Sequence, residues 1–287
     1  MSNRVRIGVL RLVDSAPVIV ARERHLFHNL GLHCVLSIEP SWANIADKMA
    51  YGLLDAAVIL PPLALALSLG LREPAVKLIV PMGLSQGGNT IVLGGEMTRN
   101  EAAQSPGTRL SGWLARRGPR PRIGVVHQFS THNLLLRYWL ALTGIDPDRD
   151  IETVVVTPEQ VVRALSDRRI SGFCAGAPWG VAAEQAGVGT SFMGLSEIWP
   201  FHPEKCLAVR ADWACEQPEA LIRLMRALIQ AQVICDLPAE ADSIAASLAV
   251  ADGLAQPRDA VRAGPVNGSG FMGWERACLP GRMRFGS

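Results

Sequence analysis

Three stretches of this sequence share one design. Pro40-Ser41-Trp42-Ala43-Asn44, Ser130-Thr131-His132-Asn133 and Gly176-Ala177-Pro178-Trp179 each follow an apolar run, and each reads as the opening of a helix. A helix start behind a strand leaves backbone N–H groups without intrahelical acceptors and turns the positive end of the helix dipole to the strand's carboxyl edge. A small anion binds at such a place. The side chains there add aimed donors. Trp42 carries an indole N–H that only donates, and His132 an imidazole that can donate and gain charge beside an anion. Lys205, in His202-Pro203-Glu204-Lys205-Cys206-Leu207, is a cation at the mouth of an apolar stretch, with Glu204 next to it as a possible neutraliser. Asn89, behind Gln86-Gly87-Gly88, offers a neutral amide. Each residue also has a plain structural reading: a wedged core indole, a structural histidine, a solvated lysine, a turn-capping amide.

Other chemistries lack their motifs. There is no GxGxxG after a strand, no Walker A run and no HExxH. An enzyme would need a carboxylate or polar dyad in a cleft. Asp14 and Asp55 stand near strand ends, and each can equally cap. No cofactor is expected. The six cysteines form no CxxC pair and no Cys/His cluster with zinc spacing, so they read as reduced, buried small side chains. Lys and Arg number 28 against 26 Asp and Glu, with no basic block, which argues against direct nucleic-acid binding. The 49% hydrophobic content over 287 residues suffices for two medium domains.

The elements that must position these residues alternate. Strands are expected at Val5–Leu10, Cys34–Ile38, Ala56–Leu60 and Lys77–Pro81. Helices are expected at Pro17–Leu30, Trp42–Tyr51 and, behind Pro61-Pro62, Leu63–Leu69. Gly83–Gly88 with Gly94-Gly95 reads as a hinge-like loop, and residues 95–121 as loop with one short helix. The alternation then restarts: strands Ile123–Val126, Ile151–Thr157 and Gly172–Ala175, helices Thr131–Thr143, Glu159–Asp167 and Trp179–Gln185. Lys205–Arg210 is an extended return before helices at Asp212–Glu216 and Pro218–Leu237. This pattern predicts parallel sheets covered on both faces, in two doubly wound lobes around a ligand cleft. Lobe 1 spans residues 1–95 plus 200–287, and lobe 2 spans 96–199. The apolar run 49–71 has the length of a membrane span, but Asp55, Pro61 and Pro62 interrupt it, so no span is expected. Arg11 and Asp14 break the first apolar run too early for a signal-peptide core, so the expected location is the cytoplasm.

Several segments resemble the nitrate-binding family of type II periplasmic-binding-protein folds. They are Ser41 to Lys48, Leu54-Asp55-Ala56-Ala57, Ser130-Thr131-His132-Asn133 through Arg137-Tyr138-Trp139-Leu140, Gly144-Ile145-Asp146-Pro147-Asp148, Gly172 to Trp179 and His202-Pro203-Glu204-Lys205. They stand in the family's order and spacing over roughly residues 5–236. The resemblance implies a pocket for nitrate or nitrite at Trp42, Asn89, His132, Gly176 and Lys205. In that pocket one cation neutralises a planar, acceptor-only anion. Trp42, His132, Asn89 and a Gly176 backbone N–H supply donors. The chain departs from the family pattern at Asn89, where a longer amide is usual, and at Ala177, where a glutamate-like residue is usual. Its C-terminus looks short for the family. With the missing export signal, the resemblance runs closest to the cytoplasmic nitrate/nitrite sensors of the NasS branch. There an antiterminator of the NasT type is held without ligand and released with it. The alternatives are the substrate-binding component of a nitrate or bicarbonate ABC transporter and, third, a cytoplasmic enzyme on the same fold.

Overall fold

The computed structural model describes residues 4–95 and 105–250. Two five-stranded sheets form, one per lobe. The first has the order β2 (His33–Glu39), β1 (Arg4–Leu10), β3 (Ala56–Ile59), β10 (Pro203–Arg210), β4 (Leu78–Gln86). The second has the order β7 (Glu152–Val155), β6 (Arg122–Val125), β8 (Gly172–Gly176), β5 (Asn89–Gly94), β9 (Gly189–Gly194). The two orders are the same pattern. In each sheet three βα strands pair in parallel, and the fourth place is taken by a strand antiparallel to both neighbours. That strand is β10 in lobe 1 and β5 in lobe 2. Each is the first strand after the chain has crossed from the other lobe.

The expected all-parallel sheets are therefore mixed. A chain that crosses directly into the neighbouring sheet runs against that sheet's βα strands. The first boundary also moves. The sequence reading kept residues up to 95 in lobe 1, but β5 pairs wholly within the second sheet. The crossing is Gly87-Gly88, both at positive φ (69° and 81°), a conformation that side chains with a Cβ rarely adopt. Gly83–Gln86, expected as hinge loop, completes β4.

Helices cover the sheets. In lobe 1 they are α1 (Ala16–Glu23), α2 (Leu26–Asn29), α3 (Trp42–Ala50) and α4 (Pro61–Ser68). In lobe 2 they are α5 (Pro106–Ala115), α6 (Thr131–Leu142), α7 (Val161–Ser166) and α8 (Trp179–Gln185). After β10, α9 (Ala211–Glu216), α10 (Pro218–Cys235) and α11 (Ala241–Val250) return to lobe 1. The helix expected over Pro17–Leu30 is two helices, because the chain turns at His25 in the left-handed region (φ 57°). The run 49–71 divides into the end of α3, strand β3 and α4. No helix among the described residues is long and apolar enough to cross a membrane.

One face of β1 (Val5, Ile7, Val9) packs with Val18 and Ile19 of α1 and Leu224, Ala227 and Leu228 of α10. A second cluster joins Trp42, Ile45 and Met49 of α3 and Leu63 of α4 to Phe173 and Val161 of lobe 2, so apolar packing is continuous between the lobes. Trp113, Val125, Leu136 and Leu140 fill the far side of the second sheet. The Gly-rich run 264–270 and Cys278 lie outside the described residues. The five described cysteines are free thiols.

Candidate functional site

The two strands that follow the crossings begin at the lobe boundary. Asn89, the first residue of β5, and Glu204-Lys205, next to the start of β10, therefore meet there. Trp42 opens α3, capped by Ser41, whose Oγ accepts from Asn44 N at 3.2 Å. His132 lies in the first turn of α6, where Ser130 Oγ accepts from Asn133 N at 3.2 Å. Gly176 ends β8, opposite Asn89 in the ladder. Trp42, Asn89, His132 and Lys205 are each at most 2% exposed. The lobes thus close over all of them.

Lys205 is the centre. Its ammonium lies 2.9 Å from Asp14 Oδ2, donates to Glu204 Oε1, and sits 5.5 Å from the Trp42 ring centroid. Asp14 stands just past β1 and its Oδ1 accepts from Ser85 Oγ at 3.2 Å. Glu204 Oε2 accepts from Asn89 Nδ2, and His132 Nδ1 is 3.7 Å from Glu204 Oε1. Adjacent residues of a strand normally point to opposite faces. Glu204 and Lys205 converge because the β10–β4 register shifts on both sides of Lys205, and such irregularities re-aim side chains.

The electrostatics follow from burial and pairing. Burial alone would push the Lys205 ammonium toward its neutral form, but Asp14 and Glu204 outweigh it and hold the pKa above the usual lysine range. Glu204 is held well below the usual carboxylate range: burial raises it, and Lys205 and His132 more than reverse that. At Asp14 burial wins. Desolvation, with Glu204 adding, raises its carboxyl despite Lys205.

His202 fixes the polarity of Asn89. Its Nδ1 lies 2.8 Å from the Trp199 carbonyl, which can only accept, so that nitrogen carries the hydrogen. Burial keeps this ring's pKa below the usual histidine value, so Nε2 is a lone pair, and it lies 3.4 Å from Asn89 Nδ2. Both amide hydrogens of Asn89 thus turn to Glu204 and His202, while Oδ1 is buried without a partner among the described residues. This corrects the expectation of Asn89 as a donor to an anion: the free edge of the amide accepts. Lys205 is likewise not a lone neutralising cation, since two buried carboxylates already share it.

Two side chains of the cluster have unengaged nitrogens. Trp42 Nε1 and both His132 ring nitrogens are buried without a hydrogen-bond partner among the described residues. Leaving such groups unmade is costly unless a ligand meets them. Gly176 has room beside it. A Cβ there would lie 3.5 Å from Asn89 Oδ1 and 3.6 Å from Asp14 Oδ2, ordinary contact distances. The next amide, Ala177 N–H, is taken by the Gly88 carbonyl at 3.1 Å.

Asp55 is elsewhere. It makes a two-point pair with Arg6 (3.0 Å from Nε, 2.5 Å from Nη2) and accepts the Arg6 backbone N–H at 2.8 Å. Asp14, Glu204 and His202 are the members of the cluster that motif reading did not place. The available signal was Asp14 at a strand's carboxyl edge and Glu204 beside Lys205. Among the described residues no group of three or more His, Cys, Asp or Glu side chains is arranged to hold a metal ion.

The NMT1-like family model matches residues 2–250. The nitrate/nitrite binding protein NrtA of Synechococcus elongatus is 34% identical over 251 residues, covering 84% of this chain and 56% of that protein. The bicarbonate transport ATP-binding protein CmpC of Synechocystis is 35% identical over 266 residues, covering 92% of this chain and 40% of that protein. The chain thus spans from about two fifths to just over half the length of these curated relatives. Among solved structures, the periplasmic nitrate-binding protein NrtA from Synechocystis PCC 6803 superposes with a TM-score of 0.86 at 26% identity, covering 91% of this chain and 69% of that one. A ligand-binding component of an ABC-type import system from Staphylococcus aureus shares the fold, with a TM-score of 0.74 at 17% identity.

Proposed function

The chain belongs to the NMT1-like family, and from that premise we propose that it is a binding protein for nitrate or nitrite, held in the buried cleft between its lobes. One observation carries the reading. Trp42 Nε1 and the His132 ring nitrogens, none hydrogen-bonded among the described residues, lie in one buried cluster with the Lys205 ammonium. Nitrate and nitrite are small, monovalent acceptors whose oxygens such donors fit. Charge-assisted hydrogen bonds of this kind are about twice as strong as neutral ones, and micromolar binding needs only about 8 kcal/mol.

Two assemblies use such a receptor. The relatives named for nitrate import favour a substrate-binding part of an ABC transporter. The sequence resemblance to the sensor branch favours a cytoplasmic sensor that releases a NasT-type antiterminator. In either, the ligand acts by closing the lobes, and whatever holds the open form is released with an equal coupling energy. A binding role without turnover fits both.

Titration calorimetry with nitrate, nitrite, hydrogencarbonate and sulfate tests the ligand. Heat with nitrate or nitrite and none with sulfate is expected; silence with the first two refutes the reading. Pull-down with purified antiterminator or permease, with and without nitrate, separates the two assemblies.

A further inference from the structure

The charge balance of the cluster bears on how an anion can enter it. Two carboxylates, Asp14 and Glu204, face one ammonium, Lys205. With both ionised, these three groups sum to one negative charge in a site that water barely reaches; with the adjacent His132 ring neutral nothing offsets it, and a monoanion would add a second. Few routes relieve this. Glu204 is tied on both oxygens, to Lys205 and to Asn89, so protonating it would break up the arrangement that orients the amide. Asp14 is held by Lys205 and by the hydroxyl of Ser85, which can turn from donor to acceptor.

We propose that the anion enters together with one proton taken from solvent, and that Asp14 carries it. This rests on the nitrate/nitrite reading and makes Asp14 a specificity-determining residue of the same site. Protonated, Asp14 gives up its claim on the ammonium, leaving Lys205 to balance Glu204 and the ligand less unevenly. Its new O–H also faces the space beside Gly176, where Asn89 Oδ1 is free. An acceptor-only anion then meets an O–H at Asp14 instead of an ionised oxygen. The proton returns to solvent when the anion leaves.

The groups facing Asp14 are few. They are Lys205 and Glu204 from β10, the Ser85 hydroxyl from β4 and, through Glu204, His132 from α6. His202 and Cys174 lie behind Glu204. Burial holds His202 neutral and pushes the Cys174 thiol well up. Arg11, on the same segment as Asp14, is engaged with Glu159 at 3.1 Å. Burial already raises the Asp14 carboxyl, the direction this role requires.

Calorimetry with potassium nitrate and sodium nitrite, run between pH 6 and 9 in paired buffers of different ionisation heat, counts the protons. The expected result is uptake approaching one proton per anion at the alkaline end, with Kd weakening about tenfold per pH unit there. Asp14→Asn should bind without uptake and with a Kd that no longer follows pH. Binding without uptake by the unaltered protein overturns the proposal alone. So does uptake that persists in Asp14→Asn and disappears in His132→Gln, which would put the proton on the imidazole. No heat with either anion at any pH overturns the ligand reading itself, and the proposal falls with it. Even if a variant fails to fold, binding without uptake by the unaltered protein still overturns the proposal.

Discussion

Replacing Lys205 by methionine keeps most of the side chain's length and removes its charge. What remains is Asp14 and Glu204, 1% and 0% exposed, facing each other with no ammonium between them. Removing one partner of a buried ion pair costs about 3–5 kcal/mol. At about 2–4 °C per kcal/mol for a chain of this size, Lys205→Met should melt about 6–20 °C lower at pH 8. The sign with pH follows from the carboxylates. Without Lys205, burial and mutual repulsion raise their folded pKa above the unfolded value, so the destabilisation grows as pH rises and fades as pH falls toward the unfolded value. Each proton contributes about 1.4 kcal/mol per pH unit. Adding Glu204→Gln removes one of the stranded charges and should recover much of the loss. Thermal and urea unfolding by circular dichroism from pH 5 to 8, on both variants and the parent, measures this. A Lys205→Met protein as stable as the parent at pH 8, or one with a deficit independent of pH, would refute the account of Lys205 as the cation holding two buried acids.

Trp42→Phe keeps the ring against the core and removes only the free indole N–H. Nitrate affinity should fall about 10- to 100-fold, the worth of a hydrogen bond to a charged group, with little change in melting temperature. Gly176→Ala adds a methyl that the backbone tolerates but that fills the space between Asn89 Oδ1 and Asp14 Oδ2; calorimetry should show at least about a tenfold loss, on the scale of one buried group misplaced in a tight site. Arg11→Ala removes an ion pair between the lobes whose side chains are roughly one-third or more exposed; the effect on affinity should stay within about fivefold, since such pairs contribute about 0–1 kcal/mol. In the unaltered protein, Glu204, held below its ordinary value, should stabilise the fold above about pH 4.5 and lose that contribution as the pH falls further. Acid unfolding should therefore shift to higher pH in Glu204→Gln.

Much of the fold was legible because its signals are local. Pro61-Pro62 starts α4, Ser41 and Ser130 cap α3 and α6, and apolar runs such as Ala56–Ile59 are strands buried on both faces. That Trp42, His132 and Gly176 stand at helix openings or strand ends was legible because such places can be read from one segment at a time. Trp42 Nε1 and the His132 ring nitrogens are buried without hydrogen-bond partners among the described residues. The course of the chain between lobes was not legible. Gly87-Gly88 and Gly94-Gly95 look alike in sequence, and only sheet pairing shows that the crossing uses the first pair. The amide of Asn89 was misread for the same kind of reason. Its polarity depends on His202 and Glu204, more than a hundred residues away.

The sequence by itself determined the residue types that meet in the cleft: one lysine, an indole, an imidazole, an amide and a glycine. It also determined the αβ alternation that sends them to strand edges. The tertiary structure decided their charge state and direction. Asp14 and Glu204 come from distant segments of the chain, and a shift of register in β10 turns Glu204 to the same side as Lys205. Burial then makes those three charges interdependent. Desolvation and pairing act through space, and no spacing along the chain encodes them.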